Sequence, residues 1–212
     1  MINYKPELFD DNKIGSLIVS YYRSGGHFLS GYMTDIKSNN LNLSEINSLE
    51  TIKSATKLKN NRYVTGILHS IHPKYYLFND LETLSKWHVI HLTRNNRIEH
   101  FISTFFWGQK LHEQKTQFGH HGTSKDIYRN FVNNHEKTVA DIAYVKRWLL
   151  EILMSYAIPH NYSIDYSELP LLESSNIWWN PNNYDDITLS DLFVNSAEVE
   201  ELLNNFKINI IL

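Results

Sequence analysis

The stretch best suited to chemistry is a glycine turn that joins an apolar run to an amphipathic segment. It reads Tyr22-Arg23-Ser24-Gly25-Gly26-His27-Phe28. Glycines let backbone N–H groups approach an anion closely, and Arg23 adds a fixed charge with a planar set of donors. If such a turn opens a helix, its unpaired N–H groups and the helix dipole suit a phosphate or sulfate. The turn predicts an anion site, with an ordinary strand-to-helix turn bearing a surface arginine as the alternative.

Two histidines near the end of a later apolar run are candidates for proton transfer. They lie in Leu68-His69-Ser70-Ile71-His72-Pro73. Histidine is the usual general base near neutral pH. The sequence leaves the choice between His69 and His72 open, with His69 slightly favoured because it closes the predicted strand. The alternative for His69 is a strand histidine that donates to a neighbouring carbonyl.

Composition limits the class of protein. The 212 residues suit one domain over 1–212, and a net charge of −3 argues against general nucleic-acid binding. The chain has no cysteine, which excludes disulfides, thiolate metal sites and a cysteine nucleophile. No apolar run approaches membrane-spanning length, so we expect no membrane span and a cytoplasmic protein. Histidines 112, 120, 121 and 135 match no zinc spacing, and no metal site is predicted.

Hydrophobic periodicity predicts strands that alternate with helices. The predicted strands are 15–21, 62–70, 87–93 and 161–166, with a possible edge strand at 207–212. The predicted helices are 24–37, 43–52 with Ser44 as N-cap, 79–86, one capped by Asn95 or Asn96, 127–156, 189–193 and 199–206. Residues 139–156 are apolar around much of the circumference, so we expect them to be deeply buried. The pattern predicts an α/β fold with a parallel sheet flanked by helices on both faces.

The predicted strand ends bring the candidate residues together. In parallel sheets covered by helices, ligands bind beyond the carboxyl ends of the strands. Arg23, Arg94, Tyr166 and the histidines at 69 and 72 all lie at or just past such ends. We therefore expect one site at that edge of the sheet.

These residues resemble the motifs of PAPS-dependent sulfotransferases, which use 3′-phosphoadenosine-5′-phosphosulfate. The family's 5′-phosphosulfate loop has a basic residue, then Ser-Gly, then usually two small hydroxyl residues and an aromatic or aliphatic one, and residues 22–28 here resemble that order. The resemblance implies that Arg23 contacts the bridging oxygen and the sulfuryl group. It assigns Ser24, Gly25, Gly26 and His27 to the 5′-phosphate, and Phe28 to the adenine.

Two further motifs carry the resemblance, which covers about residues 15–170. VIHLTRNNRIEHFISTFF resembles the strand and helix that hold the 3′-phosphate, with Arg94 and Ser103 as the pair. IDYSELP resembles the strand that ends in a tyrosine, and implies that Tyr166 contacts the adenine or its phosphate. The resemblance also implies a P-loop-like architecture, and a base that is often a histidine just after the second strand.

The sequence departs from the family at several positions. Many members have lysine in place of Arg23 and hydroxyl residues in place of Gly26 and His27. His27 therefore either donates to the phosphate or turns into the core. The longer spacing between Arg94 and Ser103 allows Arg97 to share the 3′-phosphate, and the family's C-terminal Arg-Lys-Gly motif is absent.

The implied function is transfer of a sulfuryl group from PAPS to a hydroxyl of a carbohydrate or small metabolite. No metal is required, and Glu99 and Glu113 are remote alternatives as the base. A non-catalytic nucleotide-binding protein of the same fold is one alternative function. A P-loop nucleotide kinase or hydrolase is another, which is disfavoured because no Gly-Lys-Ser/Thr follows the turn.

Overall fold

A computed structural model describes residues 5–37, 39–46, 49–55, 57, 63–69, 81–111, 125–172 and 186–206. The chain forms two compact units. The first comprises Met1–Arg94 and Met154–Ile177, and the second comprises Asn95–Leu153 and Trp178–Leu212.

The first unit contains a five-stranded, all-parallel sheet. Its strands are β1 (Gly15–Ser20), β2 (Asn40–Glu45), β3 (Tyr63–His69), β4 (His88–Thr93) and β5 (Tyr162–Asp165), in the order β2-β3-β1-β4-β5. β1 is central, and its last residue, Ser20, pairs with His69 on one side and Leu92 on the other. The predicted α/β fold with a parallel sheet is confirmed.

Helices of the first unit pack on both faces of this sheet. They are α1 (Gly26–Ile36), α2 (Leu49–Ala55) and α3 (Leu81–Ser85), with 3₁₀ helices at Pro6–Leu8 and Tyr166–Leu171. On one face, Leu17 of β1 shares an apolar core with Ile52 of α2 and Leu84 of α3. On the other face, α1 approaches so closely that a Cβ at Gly26 would lie 3.0 Å from Ile67 Cγ2. Side chains alternate along a strand, which explains how β1 serves both layers.

The helix predicted over 43–52 is wrong in its first half, because residues 40–45 form β2 and the helix begins only at Leu49. Leu41 and Leu43 alternate with polar residues, and both pack against the core on one side of the strand. Asn40 Nδ2 also donates to Thr65 Oγ1 of β3 at 2.7 Å. Tertiary pairing with β3 therefore overrides the helical spacing of the leucines and isoleucines.

The second unit is helical. It contains α4 (Arg97–Gly108), α5 (Lys125–Asn134), α7 (Leu189–Leu192), α8 (Ser196–Asn205) and most of α6 (Ile142–Tyr156). The Asn96 side chain caps α4 by accepting from the Glu99 amide at 3.1 Å, as predicted for Asn95 or Asn96. The apolar stripe of α4 is core: the Phe105 ring lies 5.0 Å from that of Phe193.

Residues 127–156 are mostly helical, as predicted, but the expectation that residues 139–156 are deeply buried is wrong. Residues 135–141 separate α5 from α6, and α6 is amphipathic. Val145, Trp148, Leu149 and Ile152 form its buried stripe, at the i, i+3, i+4, i+7 spacing of one helix face. Leu150 and Met154 remain 57% and 55% exposed. No helix within the described ranges is both long and apolar enough to cross a membrane.

Candidate anion site at the first strand–helix junction

The junction between β1 and α1 lies where the sheet topology opens a crevice. β1 and β4 are parallel neighbours at the centre of the sheet. From β1 the chain runs toward β2 at one edge, whereas from β4 it runs toward β5 at the other edge. In open α/β sheets such a reversal leaves a crevice beyond the carboxyl ends of the two strands, where ligands bind.

The turn itself has an unusual backbone. Arg23 and Gly25, on either side of Ser24, are left-handed, with φ values of 63° and 90°. Left-handed residues are a component of the backbone turns in which successive N–H groups can surround an anion. Gly25 is the N-cap of α1 and has no side chain with which to cap the first N–H groups of the helix. The N-terminus of α1, where the helix dipole is positive, therefore lies at the end of the turn that follows β1.

Close packing requires both glycines of the turn. A Cβ at Gly25 would lie 2.5 Å from Leu169 Cδ1 and 3.1 Å from Tyr166 Cδ2, and one at Gly26 would meet Ile67. The 3₁₀ helix after β5 thus lies directly against the turn. The sequence pattern predicted that the glycines let the backbone approach an anion, but it did not predict this contact with Leu169.

Arg94 links the end of β4 to the turn. Its side chain is 2% exposed, and Nη1 donates to the carbonyl oxygen of Arg23 at 2.8 Å. Its guanidinium carbon lies 3.9 Å from the ring centroid of Tyr166, within the range of a cation–π contact. Three of the predicted binding residues, Arg23, Arg94 and Tyr166, thus meet at one edge of the sheet.

The 3₁₀ helix that carries Tyr166 is anchored by charged groups that the sequence analysis missed. Asp165 and Glu168 form a capping box, in which Glu168 Oε1 accepts from the Asp165 amide at 3.0 Å. Lys5 Nζ holds the other oxygen of Glu168 at 2.7 Å. The Asp165 amide and, next, Lys5 lower the pKa of Glu168. The spacing of Asp165 and Glu168 matches a capping box, and this pattern could have indicated their contact from the sequence.

The remaining residues assigned to the 5′-phosphate and adenine occupy the start of α1. Ser24 is buried, Phe28 is half-buried and His27 is exposed. The alternative in which His27 turns into the core is therefore wrong. His27 belongs to the first turn of α1.

The structure only partly locates the two candidate bases. His69 is the last residue of β3, and its backbone is in register with Ser20, immediately before the turn. Its side chain and all of His72 lie outside the described residues. The same holds for Glu113 and for most of the three segments expected to select the acceptor, 74–86, 108–126 and 170–187.

Ser103, the predicted partner of Arg94, belongs to the second unit. It lies on α4 and is 1% exposed. Glu99 and Arg97 are in the first turn of the same helix. Within the described ranges, no group of three or more histidine, aspartate or glutamate side chains could hold a metal ion.

The candidate site is described from its geometry, because comparison with known proteins found no match. No family model, no curated protein and no solved structure matches this chain.

Proposed function

We propose that this chain is a PAPS-dependent sulfotransferase whose β1–α1 turn binds the 5′-phosphosulfate of the donor. The observation that carries the proposal is the backbone of the turn: left-handed Arg23 and Gly25 flank Ser24 at the N-terminus of α1, just after the central strand of a parallel sheet. The order of the three sequence motifs supports the choice of PAPS over other phosphate-bearing ligands.

The charge distribution supports an anionic ligand at this point. The chain carries a net charge of −3, so attraction to an anion must be local. Arg23 and Arg94 both lie at the carboxyl edge of the sheet, and Nη1 of Arg94 donates to the carbonyl oxygen of Arg23. The positive end of the α1 dipole adds to this field.

The proposed reaction is an in-line displacement at sulfur. The acceptor oxygen forms a bond to sulfur while the bond from sulfur to the bridging oxygen breaks, which releases adenosine 3′,5′-bisphosphate. Arg23 and the amides of residues 24–27 stabilise the negative charge that grows on the leaving oxygen. His69 or His72 takes the proton of the acceptor hydroxyl. The acceptor class, a carbohydrate or small metabolite, rests on the resemblance alone.

Turnover tests this proposal. The purified protein is incubated with PAPS and a panel of sugars and small hydroxylated metabolites, and adenosine 3′,5′-bisphosphate is quantified. We expect release that depends on an acceptor and is abolished by Arg23→Ala, whereas Arg147→Ala, at an exposed arginine of α6, leaves it unchanged. Tight binding of the bisphosphate without transfer to any acceptor would instead indicate a non-catalytic nucleotide-binding protein. Magnesium-dependent binding of ATP would indicate a kinase or hydrolase.

A further inference from the structure

The Arg94 side chain is fixed by two contacts within the first unit. A guanidinium is planar and carries five N–H donors in a rigid arrangement. In Arg94, Nη1 is directed at the Arg23 carbonyl and one face lies on the Tyr166 ring. The hydrogen bond and the contact with the ring together hold the guanidinium in place, and lysine lacks the planar group that makes both contacts.

These two contacts involve both left-handed positions of the turn. Arg23 has a φ of 63°, a conformation that costs a non-glycine residue about 1–2 kcal/mol. Arg94 holds the carbonyl of that residue directly. Tyr166, on which Arg94 stacks, in turn lies against Gly25, the second left-handed residue. Arg94 therefore reaches both left-handed residues, one by a hydrogen bond and the other through Tyr166.

We propose that Arg94 is a positioning residue, which acts by holding the Arg23 carbonyl so that the turn keeps its anion-binding shape, and that it is not a ligand of the 3′-phosphate. This inference rests on the proposed function, because it concerns the same site. The resemblance implies that Arg94 binds the 3′-phosphate, whereas this inference makes Arg94 a support for the turn. The ring of Tyr166 supports the turn in the same way.

Two nucleotides distinguish these roles. Adenosine 3′,5′-bisphosphate carries both phosphates, whereas adenosine 5′-phosphate lacks the 3′-phosphate. A residue that binds the 3′-phosphate affects only the first, but one that shapes the 5′-phosphate turn affects both equally. Calorimetry on Arg94→Lys should show both affinities lowered by the same factor, on the order of ten- to a hundred-fold, as expected for a lost hydrogen bond to a charged group.

The matched controls use the chain's own residues. Arg147 lies over the Tyr144 ring at 5.5 Å in the second unit, so Arg147→Lys removes an arginine–tyrosine contact that does not involve the turn residues. It should leave both affinities unchanged. Tyr166→Leu, which removes the aromatic ring beside Arg94, should weaken both nucleotides in parallel. The proposal would be overturned if Arg94→Lys lowered the affinity for the bisphosphate alone. It would also be overturned if Arg94→Lys left both affinities unchanged.

A second measurement keeps the inference testable if the proposed function fails. If the wild type binds neither nucleotide, the sulfotransferase proposal is wrong, and amide hydrogen exchange over residues 22–28 decides the role of Arg94. Faster exchange in this segment of Arg94→Lys, with exchange over β3 unchanged, supports positioning of the turn. Exchange equal to that of the wild type over 22–28 contradicts it.

Discussion

Nη1 of Arg94 lies 2.8 Å from the carbonyl oxygen of Arg23, although 71 positions separate the two residues in the sequence. The bond connects the carboxyl ends of β1 and β4, two neighbouring parallel strands. From β1 the chain continues toward one edge of the sheet, and from β4 toward the other. The backbone shape of the first strand–helix turn is therefore supported by the fourth strand as well as by its own glycines.

Replacing Gly25 should damage both the fold and the site. An alanine there must adopt a φ of 90° and place its Cβ 2.5 Å from Leu169 Cδ1. The left-handed backbone alone costs about 1–2 kcal/mol, and the overlap adds to it. We expect Gly25→Ala to lower the urea midpoint clearly and to abolish nucleotide binding.

Gly108 provides the matched control for this substitution. It is the last residue of α4, and nothing lies within 4 Å of the Cβ that an alanine would add. Gly108→Ala should therefore be neutral or stabilise the fold by about 0.5–1 kcal/mol, because alanine is the better helix former. Equal urea midpoints for the two variants would contradict the described packing of the turn.

Arg23 should separate binding from stability. Its side chain is half-buried and its backbone is left-handed. Arg23→Gly removes the backbone strain, so its free energy of unfolding should equal that of the wild type or exceed it by no more than about 1 kcal/mol. Affinity for adenosine 3′,5′-bisphosphate should fall on the order of ten- to a hundred-fold in both Arg23→Gly and Arg23→Ala. An unchanged dissociation constant in these variants would remove Arg23 from the site.

Stability should depend on pH through Glu168. Its pKa in the folded state lies below 4.5, because the Asp165 amide and Lys5 favour the carboxylate. The stabilisation from this group is therefore complete above pH 4.5 and is lost as the pH falls through the lowered pKa of the folded state. Glu168→Gln should flatten the acid limb of the free energy of unfolding in this range.

The control for the acid limb is an ion pair on the surface. Glu82 pairs with Lys86 on α3, and its side chain is 86% exposed. Exposed pairs contribute little to stability, so Glu82→Gln should show the acid limb of the wild type. If Glu168→Gln and Glu82→Gln cannot be distinguished in chemical denaturation between pH 3 and pH 6 (an approximate range set by ordinary carboxylate titration), the anchoring role of Glu168 is wrong.

Replacing the proposed base should lower the rate of sulfuryl transfer and leave nucleotide binding unchanged. His69 closes β3 in register with Ser20, next to the turn. His69→Gln should lower kcat for sulfuryl transfer by about 10²–10⁴-fold, the usual contribution of a general base. The dissociation constant of the bisphosphate should stay the same. If His72→Gln alone shows this loss, the base is His72, and a normal kcat in both variants excludes a histidine base at these two positions.

Much of the first unit could be predicted because its strands are short apolar runs that each end in a polar residue. The rule that parallel strands end at one edge was enough to expect Arg23, Arg94 and Tyr166 near each other. β2 escaped prediction, since Leu43, Ile46, Leu49 and Ile52 also fit a helical repeat. Only pairing with β3, a contact distant in sequence, determines the strand.

The detailed shape of the candidate site lies beyond sequence patterns. The left-handed Arg23 accepts a hydrogen bond from Arg94 through its carbonyl oxygen, and the space beside Gly25 is filled by Leu169. The Lys5–Glu168 pair joins residues 163 positions apart. Sequence periodicity does not predict such contacts, because they depend on which elements distant in sequence lie next to each other in the fold.

The central claim is that the β1–α1 turn binds a doubly phosphorylated adenosine. Its most direct test is a calorimetric titration of the wild-type protein with adenosine 3′,5′-bisphosphate and, separately, with ATP in the presence of magnesium. We predict saturable binding of the bisphosphate that Arg23→Ala greatly weakens, and weaker binding of ATP. Tighter binding of magnesium-ATP, or bisphosphate binding that is insensitive to Arg23→Ala, would contradict this account.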